Sequence, residues 1–206
     1  MKDKCYALNP LDAKDDFNCH QEEADTRLFY HASLLTKRDD VKTILIDAED
    51  TDVIVIASYA SHQLDKKLCI YKRGKIFSAS DLLPSAQANV IIPFHAITGA
   101  DTISGFYGQS KKAIFKRLMK HEDGTNEFLE TLGKLEIQED IDDKNSEMFL
   151  LKIIYNDQKN NKLSVARASK WKSMKNKSTA RLPPDKDSYR QHVYRAHHQA
   201  TVWYSF

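Results

Sequence analysis

The sequence predicts an α/β fold, with a parallel sheet, flanking helices and a helical back half. Three observations carry this reading. VKTILI at 41–46 is short, β-branched and bounded by polar residues, which marks a buried strand. KKLCIYKRGKIFSA at 66–79 places two strand-like runs around Lys-Arg-Gly-Lys, the pattern of a hairpin. Beyond residue 85, apolar residues return at the helical period in one segment after another.

Taken in order, EEADTRLFYHASLLTK at 22–37 reads as a helix, with Ala24, Leu28, Ala32 and Leu35 near the 3.6-residue repeat and acids in its first turn. The strand at 41–46 follows. AEDTDVIVIA at 48–57 is open to two readings: VIVIAS has the propensity of a strand, whereas Asp-Thr-Asp is a good helix start. The hairpin comes next, then ASDLLPS as a short helical piece and NVIIPFHAI as a helix running up to Thr98-Gly99-Ala100-Asp101. KKAIFKRLMKH sets Ile114, Phe115, Leu118 and Met119 on one face, and TNEFLETLGKL and SEMFLLKIIY repeat that pattern. The segment from Asn161 to Asp187 is basic, Ser-rich and closed by a Pro pair, which reads as a linker before a last helix, SYRQHVYRAHHQATVW. QEDIDD at 138–143 reads as solvated loop surface.

Composition bounds the function classes. A chain of 206 residues with 41% apolar content can bury a sizeable core. No apolar stretch approaches the roughly 20 residues that span a bilayer, and MKDKCYALNPLDAKDDFNC lacks the apolar run of a signal peptide. The expectation is an intracellular chain, nuclear or cytoplasmic, with no membrane partner. Cys5, Cys19 and Cys69 are odd in number and have no CxxC spacing, against both a disulfide framework and a zinc knuckle. The net charge of +2 hides an asymmetry: residues 144–206 hold thirteen Lys or Arg against four Asp or Glu, leaving eighteen against twenty-five in front. An acidic front suits a hard divalent cation and a basic tail suits a phosphate backbone.

Three carboxylate clusters stand at the ends of apolar elements: Glu23 with Asp25, Asp50 with Asp52, and Asp101 in a Gly-containing turn. In a parallel sheet the carboxyl ends of the strands share one edge, where clusters distant in sequence converge. Carboxylates gathered around a small cleft repel unless a cation neutralises them, and one or two Mg²⁺ or Mn²⁺ ions bound by Asp and Glu oxygens would do so. That arrangement suits two-metal phosphodiester hydrolysis. Other chemistries find less support. The eight histidines form no HExxH, and no GxxxxGK[ST] or GxGxxG is present. ILIDAEDTDV has the DxD of a haloacid-dehalogenase-type phosphatase, but Val53-Ile54 stands where the turn behind its nucleophile should lie.

Glu23-Ala24-Asp25, Ala48-Glu49-Asp50-Thr51-Asp52 and Thr98-Gly99-Ala100-Asp101-Thr102, followed by Ser104 to Ala113, resemble in their order the PIN-like domain of flap endonucleases and related structure-specific nucleases. Those enzymes carry an acid pair in E-A-E, another in E-D-x-D, and G-x-D opening into a helix-two-turn-helix that grips the duplex backbone. The chain is also similar to uncharacterised invertebrate proteins, related to mobile elements, that carry EADTRL, DTDV, HALTGCDT and a closing LPP-plus-QAxxW segment; LPPDKD and Gln199-Ala200-Thr201-Val202-Trp203 fit that tail. The resemblance implies a PIN-like sheet over residues 20–121, after a polar segment at 1–19 and before a helical extension at 122–165 and a basic linker and last helix at 166–206. It makes 50–58 a helix. Glu23, Asp25, Asp50, Asp52 and Asp101 would ligate Mg²⁺ or Mn²⁺, with Asp50, Asp52 and Asp101 as catalytic residues. DNA or RNA would be the substrate, its phosphates meeting Lys111, Lys112, Lys116 and Arg117. Two departures accompany the match. Residues 1–19 hold no apolar strand to carry the family's first aspartate, so the resemblance implies a missing first strand, a domain completed by another segment or chain, and weak cleavage. The phosphate-gripping loop has one glycine, in Gly108-Gln109-Ser110-Lys111, where the family's Gly-x-Gly-x-Lys has two. The alternative reading is a catalytically inactive nucleic-acid-binding or scaffold protein derived from such a nuclease.

Overall fold

Strand β1 (Thr43–Asp47) alternates exposed and buried residues, turning Ile44 and Ile46 into the interior as a half-buried strand should. The structure is a computed structural model that describes residues 22–120, 127–134, 143–175 and 178–206. Helix α1 (Ala24–Thr36) precedes β1, and α2 (Thr51–Ala60) follows it. Strand β2 (Lys67–Lys72) returns parallel to β1, with Leu45 opposite Cys69, and β3 (Lys75–Ser78) completes a hairpin antiparallel to β2. The three strands lie in the order β1-β2-β3. Arg73 and Gly74 both take positive φ, 50° and 77°, which gives the two-residue hairpin turn the twist its strands need. The sheet is therefore small and mixed, and its parallel part is one β-α-β unit.

Residues 51–60 are helical despite their strand-forming composition. Asp50 caps the helix, its Oδ1 accepting the Asp52 amide hydrogen at 3.0 Å, and Val53, Val55, Ile56, Ala57 and Ala60 are buried. A helix buried on most sides shows no amphipathic period, so the sign of its state lay in the Asp-Thr-Asp start before the run, and the helix expected over 50–58 is present. In α1 the buried line is Thr26, Phe29 and Ala32, which shares only Ala32 with the expected stripe; Leu35 faces outward. Phe29 meets Phe206 at 5.6 Å between ring centroids.

A 3₁₀ turn (Ala79–Asp81) leads to α3 (Ser85–Ile97), apolar nearly all round and sealed on both sides, against α2 and against the last helix. Pro93 inside α3 cannot donate to the Asn89 carbonyl, and the Tyr204 hydroxyl donates to that oxygen instead at 3.2 Å. Helix α4 (Lys111–Leu118) buries Ile114 and Leu118 as expected. Helices α5 (Glu127–Thr131) and α6 (Asp143–Met148) follow, and α6 passes into a π-helical stretch, Phe149–Ile154.

The basic segment expected to be a linker is helical: α7 spans Leu163–Ser173, with Leu163 and Ala166 buried and the Leu163 amide donating to Glu147 Oε2 at 3.3 Å. A second 3₁₀ turn (Thr179–Arg181) precedes α8 (Lys186–Tyr204), which Asp185 caps through the Ser188 amide at 2.9 Å. One buried cluster runs from Phe29 through Ile56, Ile92, Leu129 and Phe149 to Trp203, so α8 belongs to the same core as the sheet. Cys69 is free and buried. Cys5, Cys19, the QEDIDD run through 142 and the expectation of a missing first strand fall outside the described residues. Among the described residues no helix is long and apolar enough to cross a membrane.

Candidate acidic site

The ends of three helices bring the carboxylates together. Asp25 stands in the first turn of α1, Asp50 and Asp52 at the start of α2, and Asp101 in the turn beyond α3. Burial, and then the negative fields of Asp50, Asp52, Glu23 and Asp101, hold the Asp25 carboxyl above its ordinary range. Glu23, Asp50, Asp52 and Asp101 thus all lie near enough for their charges to act on Asp25.

Each acid has its own anchor. Glu23 Oε1 accepts from Gln199 Nε2 at 2.8 Å and Oε2 from the Trp203 indole at 2.9 Å, while Gln199 Oε1 accepts from the Thr102 hydroxyl at 2.6 Å. Gln199 and Trp203 lie four residues apart, one turn of α8, so a single helix face grips both oxygens. Glu49, between the two apolar elements, belongs to the hairpin instead: Oε1 accepts from the Arg73 amide at 3.0 Å, and its backbone carbonyl accepts from Lys72 Nζ at 2.6 Å.

Asp52 is the most enclosed of the pair at 48–57. Its Oδ1 lies 2.8 Å from His95 Nε2, and His95 Nδ1 lies 2.9 Å from Lys111 Nζ. A charged lysine has only hydrogens to give, so Nδ1 accepts, Nε2 carries the imidazole hydrogen, and that hydrogen points at Asp52. Carboxylate, neutral imidazole and ammonium form a line with no net charge, which is how buried ions are tolerated. Lys111 Nζ also donates to the carbonyls of Gly99 and, at 3.4 Å, His95. Burial pushes its pKa down to about 8, against the opposing pull of Asp52. The Trp203 ring lies 5.7 Å from that of His95, so α8 touches both Glu23 and the line from Asp52 to Lys111.

The turn carrying Asp101 is tightly made. Gly99 has φ +112°, and a Cβ there would stand 2.8 Å from Gly105 Cα, so the backbone crossing itself requires glycine. Ala100 and Ile103 close a bridge across the turn.

Of the four basic residues of α4, Lys112 and Lys116 are exposed, as a phosphate-facing role needs. Lys111 turns inward to His95. Arg117 donates to the Ile153 and Ile154 carbonyls at 2.6 and 2.5 Å, supplying partners at the end of the π-helical stretch. His95, Gln199 and Trp203 were not among the expected site residues. All three lay within segments already singled out, His95 in NVIIPFHAI and Gln199 and Trp203 in QATVW, and the signal for the latter pair was their spacing on one helix face.

Comparison with known protein families, curated proteins and solved structures finds no match. The chemistry of the site is therefore argued from its own atoms. Among the described residues no three His, Cys, Asp or Glu side chains stand close enough together to hold a metal ion. The five are all carboxylates: burial, and then the charges of the other four, hold Asp25 above its ordinary range, and Asp52 and Glu23 are oriented by neighbours on α3 and α8. Bringing a divalent cation among them would lower that mutual repulsion.

Proposed function

We propose that this chain binds Mg²⁺ or Mn²⁺ at Glu23, Asp25, Asp50, Asp52 and Asp101 and hydrolyses phosphodiester bonds in DNA or RNA, with a PIN-like arrangement of β1, α2, β2 and α3. The observation that carries the reading is the convergence on Asp25: after burial, the largest cause, the charges of Asp50, Asp52, Glu23 and Asp101, from three separated segments, raise its pKa. The hydrogen bonds that fix Glu23 and Asp52 support it, because carboxylates that hold metal are themselves held by outer partners. When bound, two such ions would activate water and stabilise the leaving oxygen.

A second reading, a nucleic-acid-binding or scaffold protein without catalysis, has one observation in its favour. Lys111 already supplies a cation to Asp52 through His95, so part of the acidic charge is met from within the chain.

Calorimetric titration with Mn²⁺, followed by cleavage assays on flap, hairpin and single-stranded substrates, tests both. The nuclease reading expects Asp101→Asn to weaken Mn²⁺ binding by about 10-fold or more with the fold intact, and Asp50→Asn to abolish cleavage. An unchanged titration in Asp101→Asn would end the metal reading. Metal binding without cleavage would leave the second.

A further inference from the structure

Away from the acids, an open groove of about 550 Å³ is lined by Tyr107, Gly108, Gln109, Lys170 and Arg181. No acidic side chain lines it. Its two cations come from separate elements, Lys170 from α7 and Arg181 from the 3₁₀ turn before α8, and both are exposed. Tyr107 is 64% exposed, a large ring left mostly in water.

The groove is built on anchored parts. Phe106, the residue before Tyr107, packs between Tyr155, Tyr189 and His192, with the last ring 4.8 Å away. The Gln109 amide donates to the Phe106 carbonyl at 3.0 Å and closes the turn. Gly108 has φ +72° with nothing within 4 Å of where a Cβ would stand, so a ligand can approach its backbone closely. On the other wall, the Arg167 guanidinium donates to the Pro183 carbonyl, tying α7 to the segment that carries Arg181.

An exposed aromatic ring in one groove with two exposed cations, and no carboxylate among the lining residues, matches a strand whose bases are unpaired. Stacking needs an open base face, which duplex DNA does not offer, and the phosphates on either side of that base need cations. We propose that this groove binds single-stranded nucleic acid, a base stacking on Tyr107 and the adjoining phosphates meeting Lys170 and Arg181. The proposal rests on the reading of nucleic acid as partner and names the strand form and the residues that take it. Tyr107 is six positions along the chain from Asp101, a span of at most roughly 20 Å, so a strand held here lies within reach of the acidic site.

The experiment is fluorescence anisotropy with a labelled oligothymidylate in EDTA, where neither metal binding nor cleavage contributes. Tyr107→Ala should weaken binding by about 5- to 100-fold, while Tyr107→Phe, which keeps the stacking face, should bind nearly as the parent does. Lys170→Ala with Arg181→Ala should reduce the log–log salt slope by roughly 1.4, about 0.7 for each phosphate contact on a single strand. A duplex of the same length should bind more weakly and be indifferent to Tyr107→Ala. No binding, equal binding by Tyr107→Ala, an unaltered salt slope or a preference for duplex would each overturn the proposal. Its failure is separable from that of the nuclease reading. Intact binding of the oligothymidylate in EDTA, with no cleavage by the parent protein when Mn²⁺ is supplied, would sink only the nuclease reading.

Discussion

Lys111 is the residue whose surroundings differ most from what its place in the sequence suggests. On a basic helix face it looks available to phosphate, yet its ammonium is enclosed by His95 Nδ1 and two carbonyls, and burial pushes its pKa down to about 8 from lysine's ordinary 10.5. The consequence for stability has a definite sign. Below about pH 8 the folded and unfolded chains both hold the proton, and the cost of enclosing the charge is fully present. Between about 8 and 10.5 the unfolded chain still binds a proton that the folded chain has released, so stability from this group rises with pH. The unfolding free energy of the protein minus that of Lys111→Met should therefore be flat from pH 6 to about 7 and climb towards pH 10. Denaturant titrations across that range give the answer, and a difference independent of pH would mean that Lys111 keeps an ordinary pKa.

At the scale of elements, helices do the positioning and the small sheet does little beyond orienting α2. Much of this was legible. The strand at 43–47, the hairpin, and helices α3, α4 and α8 stand within a few residues of where composition and period put them. What was not legible has a physical cause in each case. The run Val53 to Ala57 showed no period of its own because enclosure erases the amphipathic signal, so the helix found there was announced only by Asp-Thr-Asp and by the resemblance. Helix α7 escaped notice because few residues secure it: two buried apolar side chains, a carboxylate from α6, and a guanidinium reaching Pro183. The approach of α8 to the segment after α5 was equally invisible, since it depends on what glycine lacks. A Cβ on Gly133, whose φ is +82°, would stand 2.7 Å from Ala200 Cβ and 2.8 Å from Ala200 C, and the Gly133 amide donates to His197 Nδ1 at 3.1 Å. Gly133→Ala combines overpacking with a left-handed backbone, and the expected loss is about 2–4 kcal/mol. Thermal or urea unfolding will measure it; a loss below about 0.5 kcal/mol would show that α8 is free to move away.

Across the whole molecule, the five acids were readable because each sits beside an element end, where charge is conspicuous. Their partners were not. Gln199 and Trp203 meet Glu23 from 176 and 180 positions away, and His95 meets Asp52 from 43, distances over which spacing carries no geometric information. The closing residues of α8 thereby complete a site begun at Glu23, and one core joins them.

The chain has two tryptophans, Trp171 at 39% exposure and Trp203 at 1%. With Trp171→Phe, all indole emission would come from a ring bonded to the Glu23 carboxylate and 5.7 Å from the His95 imidazole. Such a fluorophore is an internal optical probe of the acids, needing no label. Mg²⁺, which does not quench by itself, should alter the intensity or wavelength of that emission in a saturable way, and Asp101→Asn should shift the titration to higher concentration. Emission indifferent to Mg²⁺ would mean that no cation reaches Glu23. The same signal, followed after rapid mixing, would time the arrival of the ion.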